Sequence, residues 1–258
     1  MSLARFPLIV LVPGAFATPA CFDKLVAHLG EFQTYPAAYP SCNPADPFNA
    51  TCMSDITAMR RILLSLLDQK RDVVILAHSY GGIVAGSAAK GLDQDTRSAQ
   101  GYSNAVVGLI YVSGNISLEG ESLLEASGGG GAPPPFVKAD TPSEGLAVIA
   151  PAMDILYNDL DPGLEPELSK LMNPHALQAF STKPSAPAWQ DKGFDRRRIY
   201  VRTLQDRVHS TFLQDKWIAK SGVEWDVVDF GTGHMPFVSQ PEALAAQVAK
   251  SVRKLAEL

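Results

Sequence analysis

Five short, mainly apolar runs, at residues 7–12, 73–77, 106–113, 199–204 and 225–230, alternate with stretches of helical periodicity. Strands this apolar need cover on both faces, which parallel strands joined by crossover helices provide. The pattern therefore predicts an α/β chain: a mostly parallel, twisted sheet with helices on both faces. A weaker run at 32–35 is read as an edge-side strand. Between the runs, Thr18 with Pro19 marks a helix start, and Ile56, Met59, Ile62, Leu63, Leu66 and Leu67 form a stripe at 3.6 spacing. Residues 82–90 are small enough for a helix packed tightly on the sheet. Ser239 and Glu242 have capping-box spacing ahead of a last helix lined by Leu244, Val248, Val252 and Leu255.

The alternation lapses between about 116 and 195, where proline is frequent and four glycines at 128–131 precede three prolines at 133–135. This segment reads as an inserted helical cap, with short helical pieces over 146–157 and 165–180 broken by Pro151, Pro162 and Pro174. No strand leads into the glycine run and no helix leaves it, so it reads as a mobile loop rather than a phosphate cradle. The expectation is one domain over 1–258, with a core of 1–115 and 196–258 and a cap of about 116–195.

No apolar run approaches the roughly 20 residues a membrane span needs, and 7–12 reads as a buried strand rather than a signal segment because Pro13-Gly14 follows at once. A net charge of −5 supplies no basic surface for nucleic acid or anionic lipid, and the arginines at 196–198 read as the wet end of a strand. Cys21, Cys42 and Cys52 are odd in number and lack zinc spacing, which fits free thiols in a cytoplasmic protein; a Cys42 to Cys52 bridge is the alternative. A monomer or homodimer without metal or cofactor is expected.

The chemistry concentrates at Asp72-Val-Val-Ile-Leu-Ala-His-Ser-Tyr-Gly-Gly82, an apolar strand running through a serine into a helix. Such a turn lifts the hydroxyl of Ser79 clear of the backbone and needs small neighbours, here Ala77 and Gly81. A helix-capping serine after a buried strand is the plain alternative. A nucleophilic serine needs a base, and His234 in Gly-Thr-Gly-His-Met-Pro follows the last predicted strand. His78 adjoins the serine but projects away from its oxygen, and His28, His175 and His209 are read as structural. Asp206, just past the run at 199–204, is the expected orienting acid; Asp195, Asp215 and Asp229 are placed less well, and the alternative acid site after 106–113 holds Asn115, which carries no charge. The oxyanion donors are assigned to the N–H groups of Tyr80 and Ala15.

These residues resemble the α/β-hydrolase superfamily, and within it the plant-type methylesterase and hydroxynitrile lyase branch. The likeness rests on Val12-Pro-Gly-Ala with Phe22-Asp-Lys-Leu, on 74–82, on 198–206, and on Gly233-His-Met with its closing helix. It implies a Ser79, His234 and Asp206 triad with Ala15 and Tyr80 at the oxyanion. The lyases of that branch carry lysine after the histidine and threonine in the first turn; Met235 and Gly14 stand there instead, which favours ester hydrolysis. Pro13 and Tyr80 also depart from the branch, where histidine and leucine are usual.

The expected activity is cleavage of a small, largely apolar ester or lactone through an acyl-serine, with Gly14, Phe16, Met235, Tyr157, Phe180 and Trp189 lining the pocket; for the aromatic residues of the cap, packing as the cap's own core is the equal alternative. A lyase or carbon-carbon hydrolase using the triad as acid and base, and a hydrolase-fold ligand receptor, are the alternatives.

Overall fold

The computed structural model describes residues 6–258. Six strands form one sheet: β1 (Leu8–Val12), β2 (Thr34–Pro36), β3 (Val73–His78), β4 (Val106–Val112), and the two strands later in the chain, Arg198–Thr203 and Asp226–Phe230. The segment after β4 adds β5 (Val137–Ala139), β6 (Leu146–Ile149) and β7 (His175–Ala176), so the last two strands of the main sheet are β8 and β9. The main sheet runs β2-β1-β3-β4-β8-β9 with every neighbouring pair parallel. β1, β3 and β4 are buried throughout, whereas β9, at the edge, is largely exposed.

The chain leaves β1 for β2 on one side and returns past it to β3 on the other, so the strand order switches between β1 and β3. In open parallel sheets the crevice beyond the carboxyl ends at such a switch takes ligands, and here those ends lead into 13–16 and Ser79.

The helix Cys52–Asp68 buries Ile56, Met59, Leu63, Leu66 and Leu67, each worth about 1.5–3 kcal/mol relative to exposure. It packs on the helix Gly81–Ala88, every residue of which is buried. The helix Asp23–His28 packs on the closing helix Pro241–Ala256, whose Leu255 reaches Gly108 in β4.

Several local expectations are corrected. The last helix starts at Pro241 with Gln240 as its cap; Ser239 ends a separate short helix, Pro236–Ser239, and forms no capping box. The proline at the first helical position sets that start. A capping box forms instead between Thr51 and Ser54. Thr18 precedes a 3-10 turn, Pro19–Phe22, without a side-chain cap bond. The 116–195 region is not purely helical: β5, β6 and β7 form an antiparallel sheet, and within β6 buried Ala147 and Ile149 alternate with half-buried Leu146 and Val148. A period of two overrode the helical reading there. Arg198 is buried rather than wet, donating to the carbonyls of Trp189 and Asp191 and to Asp195. The three cysteines are free thiols.

Candidate active site

Ser79 follows β3 directly and adopts φ 51°, a left-handed conformation costly for a residue with a Cβ. Neighbours on all sides hold it there. Its N–H donates to Val112 O at 3.3 Å, and its carbonyl accepts from Gly82 N and Asn115 N, both at 2.9 Å. A Cβ on Gly81 would lie 2.5 Å from Pro13 O, so glycine is required where the turn passes the first loop. Gly14 is equally confined, since a Cβ there would come within 2.7 Å of His78 Nδ1 and 2.9 Å of Ser79 Cβ.

Asp206 follows β8 and is saturated with donors. Oδ2 accepts from His234 Nδ1 at 2.8 Å, Ser113 Oγ at 2.6 Å and Thr203 Oγ1 at 2.7 Å; Oδ1 accepts from the N–H groups of Val208 and His209 at 2.8 Å each. Burial alone would push this carboxyl up, but the charge and hydrogen bond of His234, with His209 and Ser113, outweigh it and hold the acid below its ordinary value. An ionised carboxylate only accepts, so Nδ1 of His234 carries a proton and Nε2 is the ring nitrogen not engaged by the acid. His78 holds the same histidine from behind, donating from Nε2 to His234 O at 2.9 Å.

Ser79 and His234 line one cavity, together with Ala15, Phe16, Tyr80 and Asn115. Ser79 Oγ forms no hydrogen bond among the described residues, so serine and imidazole share the cavity wall without a formed bond. The segment between β4 and β8 also lines it, through Leu123, Leu124, Phe136, Ile149 and Leu156. Its space of about 130 Å³, lined largely by apolar side chains, is comparable to engineered cavities that hold a benzene ring. The N–H groups of Ala15 and Tyr80 meet no acceptor among the described residues.

Of the side chains expected to line the pocket, Phe16 and Phe180 do so. Gly14, Met235, Tyr157 and Trp189 do not. Gly14 packs behind the serine; Met235 is buried and opens the short helix Pro236–Ser239. Trp189 is buried against Gly86 and gives its carbonyl to Arg198. Tyr157 is buried, with no hydrogen-bond partner for its hydroxyl among the described residues. For Tyr157 and Trp189 the alternative, packing as the core of the covering segment, is the one the structure takes. The competing acids are engaged elsewhere: Asp195 pairs with Arg198, and Asp215 and Asp229 pair with Arg202.

Two residues not expected to line the cavity reach it, His209 and Asn115. His209, expected to be structural, sits edge-on to His234 with ring centres 4.9 Å apart and bonds Ser113 O through Nδ1 at 3.0 Å. Burial, reinforced by His234, lowers its pKa to about 4, so it is a neutral imidazole. Its place three residues after Asp206 was the available signal. Asn115 is fully buried on the cavity wall with neither side-chain atom partnered.

Asp206, His209 and His234 stand close enough to suggest a metal ligand set. The carboxylate oxygens already take five protein donors, one of them the Nδ1–H of His234, which suits a proton relay better than a cation.

The chain is 26% identical to the alpha/beta hydrolase nvfD of Aspergillus novofumigatus over 98% of this chain and 99% of that protein. Its fold matches the crystal structure of a pyrethroid hydrolase from Sphingobium faniae JZ-2 with TM-score 0.75 at 18% identity, covering 98% of this chain and 99% of that one. It also matches the methylesterase MES16 of Arabidopsis with TM-score 0.67 at 18% identity, covering 96% and 99%. The likeness to plant methylesterases seen in the motifs thus returns in three dimensions. Residues 9–247 match the alpha/beta hydrolase family, and the chain belongs to it.

Proposed function

We propose that this protein is a carboxylic ester hydrolase acting on a small, largely apolar ester or lactone through an acyl-Ser79 intermediate. Relatives named hydrolase, methylesterase and pyrethroid hydrolase support the ester class. One observation carries the assignment of roles: the 2.8 Å bond from His234 Nδ1 to a buried, donor-saturated Asp206, on the wall of the cavity that the strained Ser79 turn enters.

In this reading His234 Nε2 takes the Ser79 proton as Oγ attacks the ester carbonyl, and the imidazolium is stabilised by Asp206. The oxyanion receives the N–H groups of Ala15 and Tyr80, each worth about 2.7–4 kcal/mol in the transition state. His234 then protonates the leaving alkoxide, and a water deprotonated by the same nitrogen releases the acid. The apolar wall of Leu123, Phe136, Ile149 and Leu156 suits an apolar acyl or alcohol group. The substrate is a small molecule, and neither metal nor cofactor enters these steps.

Turnover of p-nitrophenyl acetate and labelling by a fluorophosphonate test the assignment. Ser79→Ala should abolish both, and His234→Ala should lower turnover to near background; retention of either activity by Ser79→Ala refutes the acyl-serine route.

A further inference from the structure

A second buried polar network lies behind the cavity, apart from Asp206 and His234. It starts at Asp55 on the helix Cys52–Asp68, a fully buried acid. Its Oδ1 accepts from Ser41 N at 2.9 Å, and its Oδ2 accepts from Ser41 Oγ and from the hydroxyl of Tyr80 at 2.7 Å. Ser41 Oγ also meets His175 Nε2 at 2.8 Å, and the other nitrogen of that ring, Nδ1, accepts the N–H of Phe16 at 3.3 Å.

The direction of each bond follows from chemistry. A peptide N–H only donates, so His175 Nδ1 is a lone pair and its proton sits on Nε2. That proton goes to Ser41 Oγ, whose own hydrogen goes to the Asp55 carboxylate. Burial keeps the imidazole neutral, with a pKa lowered to about 3, so the direction holds at neutral pH. The chain therefore runs from Phe16 N–H through His175 and Ser41 to Asp55, which the Tyr80 hydroxyl approaches from the opposite end.

Its two ends are the two turns assigned to the oxyanion. Phe16 follows Ala15, and its φ of 65° is a conformation that a non-glycine residue holds only when its surroundings impose it. Because the Phe16 N–H is turned back toward His175, the neighbouring Ala15 N–H is the one left for the cavity. Tyr39 pins the same turn, its hydroxyl donating to Pro13 O at 2.6 Å and Gly14 O at 3.0 Å. Aromatic packing locks the ring: His175 stacks on Phe180 at 5.0 Å and meets Tyr80 edge-on at 5.4 Å.

We propose that Asp55, Ser41 and His175, with the Tyr80 hydroxyl, form a positioning relay that holds the Ala15 and Tyr80 peptide N–H groups in the geometry the oxyanion requires. None of these side chains lies in the proton path of the reaction. The relay rests on the ester-hydrolase reading above, and it explains why this chain carries tyrosine after the nucleophile: the hydroxyl ties that peptide to a buried carboxylate that leucine could not engage.

Tyr80→Phe removes one hydroxyl and keeps both the ring and the N–H donor. Its kcat on p-nitrophenyl acetate should fall about tenfold with KM changed by less than about twofold, because a misplaced donor weakens the transition state and not the ground state. Inhibition by a trifluoromethyl ketone, which forms an oxyanion on Ser79, should weaken by a similar factor. His175→Phe should lose more, and His175→Asn should recover part of it, since its amide oxygen can accept the Phe16 N–H. A melting temperature that falls while kcat and ketone affinity stay at wild-type values overturns the relay and makes the network purely structural. If His175→Phe does not fold, Tyr80→Phe and Ser41→Ala decide by the same readouts. Turnover that survives Ser79→Ala sinks the hydrolase reading and the relay together; Ser79-dependent turnover with an unaltered Tyr80→Phe sinks the relay alone.

Discussion

Asp206 Oδ2 lies 2.8 Å from His234 Nδ1, and it is the same oxygen that accepts from Ser113 and Thr203. Three donors on one oxygen leave the carboxylate no freedom to rotate. Asp206→Asn puts an amide among donors at one of its two positions, and the histidine loses its preferred tautomer. The expected result is a fall in kcat on the order of 10³- to 10⁴-fold, with Ser79 labelling slowed in parallel. Steady-state kinetics on p-nitrophenyl acetate would show it, and a change below tenfold would mean another group orients the imidazole.

Gly81 is set by contact rather than by backbone angle. Gly81→Ala places a methyl 2.5 Å from Pro13 O and 2.7 Å from Val12 O, both rigid backbone atoms at the end of β1. The turn must move away from the first loop, at about 1–3 kcal/mol. Chemical denaturation should record that loss, and kcat should drop by more than stability alone explains, because Ser79 and the Ala15 loop move apart. Wild-type stability with wild-type turnover would contradict the packing described here.

Besides His234, three histidines are buried, and these three are neutral. Burial holds His209 near pKa 4 and His175 near 3, with His234 adding to the effect at His209; burial, then the charge of His234, puts His78 well below the ordinary value. In the unfolded chain each titrates near 6.5, so between that value and about pH 4 the unfolded state binds protons that the native state does not. Stability must then fall as pH falls, by about 1.4 kcal/mol per pH unit for each fully coupled histidine. Asp55, raised by burial, works in the opposite sense on acidification, because the native state takes up its proton first. Urea midpoints should decline steadily from pH 7 to pH 5, and His209→Gln should flatten that slope; a midpoint independent of pH would show that these rings are hydrated.

Asn115 holds two buried polar atoms without partners at the cavity wall. Orphaned groups of this kind cost about 1–3 kcal/mol each, whereas an apolar side chain of similar shape avoids the cost. Asn115→Leu should therefore raise the melting temperature by a few degrees, roughly 2–4 °C per kcal/mol gained in a protein of this size. Calorimetry decides it: a lowered melting temperature would mean that the amide is satisfied in solution.

Much of the framework was legible in the linear chain because local chemistry dictates it. Continuous apolar runs require cover on two faces, and that made the parallel sheet readable from 7–12, 73–77 and 106–113. Small residues around Ser79 announced a sharp turn, and Asp206 and His234 stood just beyond strand ends, where the structure joins them through one hydrogen bond. Position after a strand is a property of sequence, so those residues could be named.

What the chain order could not supply was which side chains share a space. His209 and Asn115 reach the cavity, while Trp189 and Tyr157 turn into the interior, because the path of the segment between β4 and β8 is set by packing against residues far away in sequence. Ser41 and His175 are 134 positions apart, yet meet at 2.8 Å. Periodicity reports which face of an element is covered, not what covers it. Composition and spacing therefore determined the sheet, the turn at Ser79 and the order of the catalytic candidates; tertiary contact alone decided the cavity wall and the buried network behind it, because both are made by groups that approach only when the chain closes on itself.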